Sequence, residues 1–163
     1  LVLTDDAVRS LDPNVKMNPP LREEDDRAAL IDALRDGTIE AIATDHAPHA
    51  RHEKDVPFEA APFGVTGLET AFAVIYTELV EPGILTLPTV LDRMSAGPAR
   101  IFGLRRPRIA SGESANLVLI DPNGTTRVTE DGFKSRSVNS WLLGRALKSR
   151  IAMTIAGGAV VHE

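Results

Sequence analysis

Ile39-Glu40-Ala41-Ile42-Ala43-Thr44-Asp45-His46-Ala47-Pro48-His49 is the stretch on which the fold turns. It opens with a short apolar run, Ile39 to Thr44, the pattern of a strand buried on both faces of a parallel sheet. Asp45 then falls at the strand's carboxyl end, where parallel α/β folds gather their ligands. From His46 to Gly67 the chain mixes Pro, Gly and charges without periodicity. Loops of that length are uncommon in compact domains and are usually functional.

Upstream, Leu1-Val2-Leu3 reads as the end of a strand before an Asp-rich helix start, so the chain is expected to begin inside a fold. Lys16-Met17-Asn18 is a short extended piece, and Pro19 restricts Asn18 to extended backbone. Glu23 to Asp36 places Leu30, Ile31 and Leu34 on one helical face, with acidic residues in the first turn and Gly37 as the stop. Downstream, Leu68, Phe72, Ile75 and Leu79 mark a second helix ended by Pro82-Gly83. Leu87 to Met94 makes a third with Pro88 in its first turn, and a helical turn follows around Pro98 to Phe102. The order βαβα implies a parallel sheet with Asn18 and Asp45 at the carboxyl ends of its strands.

After Leu104 the pattern changes. Arg105-Arg106-Pro107-Arg108 is a charged connector, which places a boundary near residue 106 between residues 1–105 and a small β-subdomain over 106–163. There Ala115 to Ile120 reads as a strand stopping at Asp121-Pro122-Asn123-Gly124. Ile151, Met153 and Ile155 alternate up to a Gly157-Gly158 hairpin turn before Val160 and Val161.

Composition narrows the function. A net charge of −5 with no basic stripe argues against nucleic acid as a partner. No apolar run approaches the roughly 20 residues that span a bilayer. The absence of cysteine rules out disulfides and thiolate sites, leaving His and carboxylate as metal ligands, and fits a reducing cytoplasm.

The stretch Ala43 to His49 resembles the signature of the dihydroorotases in the amidohydrolase superfamily. Lys16-Met17-Asn18-Pro19-Pro20-Leu21-Arg22, Ala61-Pro62-Phe63-Gly64-Val65-Thr66-Gly67-Leu68-Glu69-Thr70 and Pro98-Ala99-Arg100-Ile101-Phe102-Gly103-Leu104 resemble the bacterial long-type enzymes in order and spacing. Gly112 to Asp121 is similar to the superfamily's composite β-subdomain, with Asn116 where Asp is common. Ser137-Val138-Asn139-Ser140-Trp141-Leu142 departs from the usual Pro-Phe continuation.

The resemblance implies an α/β fold, the C-terminal part of a TIM-barrel metal-dependent hydrolase plus that β-subdomain. It further implies one or two Zn²⁺ ions per complete site and the interconversion of N-carbamoyl-L-aspartate and L-dihydroorotate in pyrimidine synthesis. Asp45 matches the catalytic aspartate that also ligates metal. Asn18 and His49 match substrate-binding residues, and Phe63 and Gly64 match the loop whose backbone contacts the pyrimidine ring. Alternatives are a dihydropyrimidinase, hydantoinase or allantoinase, or a metal-free homologue that is a structural partner of aspartate transcarbamoylase. The complete protein is expected to be a homodimer.

His46 does not ligate metal in that pattern, and His52 and His162 read as solvated. The His-x-His pair, the carboxylated lysine and further histidines of the family have no counterpart here, and no two histidines have ligand spacing. The chain is therefore expected to carry an incomplete metal site and to resemble the closing part of such an enzyme.

Overall fold

The first helix forms where the apolar spacing places it. In a computed structural model describing Leu1–Glu163, α1 spans Glu24–Asp36 with three acidic residues in its first turn, and Gly37 follows at φ 93°. Acidic groups at the amino end meet the positive end of the helix dipole, and glycine takes the left-handed conformation without a Cβ penalty. Ile31 and Leu34 enter the core. Leu30 does not and is 43% exposed. The core meets the side between Ile31 and Leu34, and successive residues turn by about 100°, so Leu30 sits at the stripe's edge.

Ile39 to Thr44 differs from expectation. It forms no ladder, and Glu40 and Ala43 are exposed, so it is not buried on both faces. The Ile39 N–H donates to the Ala33 carbonyl and the Ile42 N–H to the Arg93 carbonyl, both at 2.9 Å. Parallel pairing is reduced to one bridge, His46 with Val65. A parallel ladder needs a neighbouring strand at about 4.8 Å, and no other strand of this chain lies beside the run. Leu1–Leu3 and Lys16–Asn18 likewise form no ladder, and Asp5–Ser10 is a 3₁₀ helix.

The long segment after Asp45 holds one short helix, α2 (Arg51–Lys54). The second expected helix starts late. Leu68 lies in the loop, exposed, while α3 runs over Ala71–Ile75 and continues as a π-helical turn over Tyr76–Val80 that buries Leu79. Next come α4 (Leu87–Leu91), capped by the Thr86 hydroxyl at the Thr89 N–H, a π-helical turn over Asp92–Ala96, and α5 (Gly97–Ile101). Gly97 lets α5 approach the 39–44 run, since a Cβ there would lie 1.9 Å from the Glu40 carbonyl oxygen.

The carboxyl-terminal part is an antiparallel sheet in the order β1 (Leu117–Arg127), β2 (Ala146–Ala156), β3 (Ala159–His162). The expected stop at Asp121 is instead a bulge within β1. Asp121 pairs with Arg150 and Thr125 with Lys148, so three residues oppose the single Ser149. The Asp121 carboxylate accepts the Asn123 N–H at 3.0 Å, closing a local turn that keeps the strand direction. Gly157 and Gly158 both have positive φ, as a two-residue hairpin turn requires. One core joins the two parts, with Ile31, Leu34, Leu79 and Val90 packed in the same cluster as Val128, Leu142 and Leu147.

Candidate active site

Asp45 lies in the left-handed region at φ 45°, with its side chain exposed and free of hydrogen bonds. Asp tolerates this region better than most residues, though such backbone costs about 1 kcal/mol or more and must be held by its surroundings. The residues that follow it do the holding. The Ala47 N–H donates to the Val65 carbonyl at 3.0 Å. His46 Nδ1 accepts from the Gly67 and Leu68 N–H groups, each at 3.1 Å, so Nδ1 carries the lone pair and Nε2 the proton.

His46 Nε2 accordingly donates to Ser135 Oγ at 3.1 Å, and the Ser135 hydroxyl donates to Glu69 Oε2 at 2.7 Å. Burial raises the Glu69 pKa, but the Ser135 hydroxyl and the Lys134 and Ser135 amides outweigh it, so the carboxyl titrates below its ordinary range. Both ring nitrogens of His46 are engaged. His52 and His162 are exposed, as their solvated reading expects.

His49 is brought against Phe63 and Gly64. Its Nε2 lies 2.9 Å from the Phe63 carbonyl oxygen and donates to it, while Nδ1 faces Glu53 Oε2 at 3.8 Å. Gly64 has φ 106°, donates its N–H to the Lys16 carbonyl at 2.9 Å, and has no room for a Cβ, which would sit 2.6 Å from Ala47 Cβ. The Phe63 ring is exposed, not in the core, and rests over Lys16 Nζ at 4.8 Å from the ring centroid. Asn18 is exposed, makes no side-chain hydrogen bond, and neighbours the group through Lys16. Arg22 pairs with Asp26 at 2.9 Å in solvent.

Two lysines organise the loop, and the sequence reading missed their role. Lys16 Nζ donates to the carbonyls of Phe58, Glu59 and Ala61 at 2.8, 2.9 and 2.7 Å. Lys54 Nζ donates to those of Pro13 and Pro62, each at 2.9 Å, and is 7% exposed. Burial, then the charge of Lys16, lowers the Lys54 pKa. Lys16 stands in a motif already singled out. For Lys54, no sequence pattern distinguishes a buried ammonium from a solvated one.

No group of three His, Asp or Glu side chains is placed to hold a metal. A cleft of about 340 Å³ lined by Asp12, Lys54, Ser137 and Asn139 includes neither Asp45, Asn18 nor His49.

Helices packed against extended runs, with polar groups after those runs and an antiparallel subdomain behind, make up the C-terminal part of a TIM-barrel hydrolase fold. The chain belongs to the amidohydrolase family, whose model matches residues 13–161. It is 50% identical over 161 residues to the dihydroorotase of Geobacter metallireducens, covering 99% of this chain and 38% of that protein. It is 48% identical over 164 residues to the dihydroorotase of Carboxydothermus hydrogenoformans, covering all of this chain and again 38% of the relative. Among solved structures it resembles the L-hydantoinase (dihydropyrimidinase) of Arthrobacter aurescens, with a TM-score of 0.89, 28% identity, and coverage of 99% of this chain and 37% of that one. The chain thus spans about two-fifths of the length of these relatives. Enzymes of the family are generally metal-dependent. No helix is long and apolar enough to cross a membrane.

Proposed function

We propose that this chain supplies one part of the active site of a dihydroorotase, which opens L-dihydroorotate with water to N-carbamoyl-L-aspartate, and the reverse, in cytoplasmic pyrimidine synthesis. What supports the reading most is the 50% identity to the Geobacter metallireducens dihydroorotase across nearly the whole chain. Residues 1–105 form its part of the barrel and residues 106–163 its β-subdomain.

Asp45 accepts a proton from the attacking water and returns it to the departing ring nitrogen, one carboxylate acting first as base and then as acid. Its exposed, unpaired side chain leaves it free for that exchange. Asn18 and His49 bind the substrate carboxylate. The Phe63 carbonyl and the Gly64 amide are the backbone groups that meet the ring's polar edge, and before substrate binds the Gly64 N–H is donated to the Lys16 carbonyl. His49 donates to Phe63 in the structure, so substrate exchanges this bond for its own carboxylate.

Zinc is the proposed metal, with Asp45 as a ligand. A catalytic zinc takes about three protein ligands, and no such group exists in the chain, so the residues present do not fit a zinc ion by themselves.

The hydantoinase-like shape favours a second reading, a hydrolase of rings without a carboxylate. Kinetics of the intact protein separate the two. Dihydroorotate should be preferred over dihydrouracil by about one to two decades in kcat/KM, the reach of charge-assisted hydrogen bonds worth roughly 1.5–3 kcal/mol. His49→Ala should reduce that preference, Asn18 still holding the carboxylate, while metal content stays at the wild-type level. Equal turnover of both rings by wild type would overturn the dihydroorotase reading. Loss of metal in the variant would assign His49 as a ligand.

A further inference from the structure

The turn bearing Asp45 and His49 is held from outside by three polar side chains at alternate positions, Ser135, Ser137 and Asn139. Ser135 Oγ meets His46 Nε2 at 3.1 Å, and the Ser137 hydroxyl donates to the His49 carbonyl. Asn139, 6% exposed, joins the two loops. Its Oδ1 accepts the His49 N–H at 3.0 Å, and its Nδ2 donates to the Ala47 carbonyl at 3.0 Å and the Gly64 carbonyl at 3.4 Å. Its own carbonyl accepts both the Thr66 N–H at 2.9 Å and the Thr66 hydroxyl at 3.2 Å. These partners fix the amide's orientation, because carbonyls need the NH₂ and an N–H needs the oxygen. No other side chain hydrogen-bonds to both His49 and Gly64.

We infer that Asn139 is a positioning residue that sets the spacing between His49 and the Phe63–Gly64 carbonyl loop, and thereby substrate affinity. The inference rests on the proposed function. Asn139 touches neither Asp45 nor the reacting atoms, so its loss should act on KM more than on kcat.

Asn139→Asp supplies a diagnostic. The ionised carboxylate still accepts the His49 N–H, but its second oxygen faces the Ala47 and Gly64 carbonyls and repels them. As a neutral acid, the introduced group donates one O–H to Ala47 and accepts from His49, restoring the two shorter of the amide's three bonds and losing only the one to Gly64 at 3.4 Å. Burial and the two facing carbonyls raise the pKa of the introduced carboxyl, and the defect is present above that pKa and lost below it.

The experiment measures kcat and KM for dihydroorotate in the intact protein from pH 5.5 to 9, each relative to wild type at the same pH. For Asn139→Asp, KM should rise about tenfold at high pH and return toward wild type at low pH, with kcat changed less than about threefold, the pattern of lost binding rather than lost chemistry. Asn139→Ala should raise KM by a pH-independent factor. Ser137→Ala, which removes one polar bond and leaves Asn139 in place, should give a smaller rise in KM if the Asn139 variants fail to fold. Wild-type KM in all three, or an equal loss in kcat at every pH with lowered Tm, would overturn the positioning role. Amide exchange at His49 separates this inference from the functional reading. Exchange slow in wild type and fast in Asn139→Ala sustains the anchoring even if wild type turns over no dihydroorotate, and equal exchange overturns it.

Discussion

Gly64 shows how closely the two loops approach. It sits at φ 106°, and a Cβ would lie 2.6 Å from Ala47 Cβ, whose methyl has no rotamer to escape into. Gly64→Ala should therefore destabilise the intact protein by about 1–3 kcal/mol from overpacking, with the positive φ adding to it. Urea unfolding at pH 7 measures this, and an unchanged midpoint would show that the loops part easily. At this scale the residues proposed for the surface of the site are more legible in the sequence than those behind them. Asp45, His49 and Gly64 stand in recognisable motifs. Asn139 lies in a stretch that departs from the usual pattern, and its bonds reach residues 47 to 66, which chain position does not reveal. Glu69 stands in a recognisable motif, but its link to His46 through Ser135 needs three separate segments in place.

Among the elements, the helices from Leu87 to Ile101 depend on charge at their middle. Asp92 pairs with both outer nitrogens of Arg100 at 3.0 Å and with Arg93, and Arg100 reaches Glu40 at 3.1 Å. The hydrogen bonds from Arg100, with its charge and Arg93 adding, hold the Asp92 carboxyl down to about 2. A depressed carboxylate contributes stability that is present above its ordinary pKa of 3.8 and is lost as pH falls through 2. Acid should thus loosen this segment within that window. The urea midpoint of wild type should fall more between about pH 5 and pH 2.5 than that of Asp92→Asn, and parallel losses would show that the pair contributes nothing.

Other elements mark where local pattern suffices. α1 and the β2–β3 hairpin form from neighbouring residues, apolar spacing with Gly37 in one and two positive-φ glycines in the other. The Ile39 to Thr44 run has the composition of a buried strand but needs neighbours to become one. The β1 bulge is not legible in the sequence because Pro122-Asn123-Gly124 reads as a terminator, whereas the turn closed by Asp121 lets the strand resume at Thr125.

At the scale of the whole molecule, the incomplete ladder and the incomplete ligand set have the same consequence. The 39–44 run leaves its backbone groups largely unpaired at the place where Asp45 emerges, and no three ligand-type side chains converge anywhere in the chain. These 163 residues alone should therefore bind no stoichiometric zinc and turn over no dihydroorotate, since one carboxylate falls short of the roughly three protein ligands a catalytic zinc needs. Unpaired edges should also make the isolated chain self-associate. The complement can be supplied directly. Co-expression with the part of the Geobacter metallireducens dihydroorotase that this chain does not match should give a soluble complex that holds zinc and hydrolyses dihydroorotate. Asp45→Ala in the chain should abolish turnover of that complex, because the proton exchange assigned to Asp45 then has no group to carry it. Zinc and turnover in the chain alone would mean that a ligand set forms on rearrangement. An active complex carrying Asp45→Ala would remove Asp45 from the chemistry and leave its left-handed turn a structural feature only.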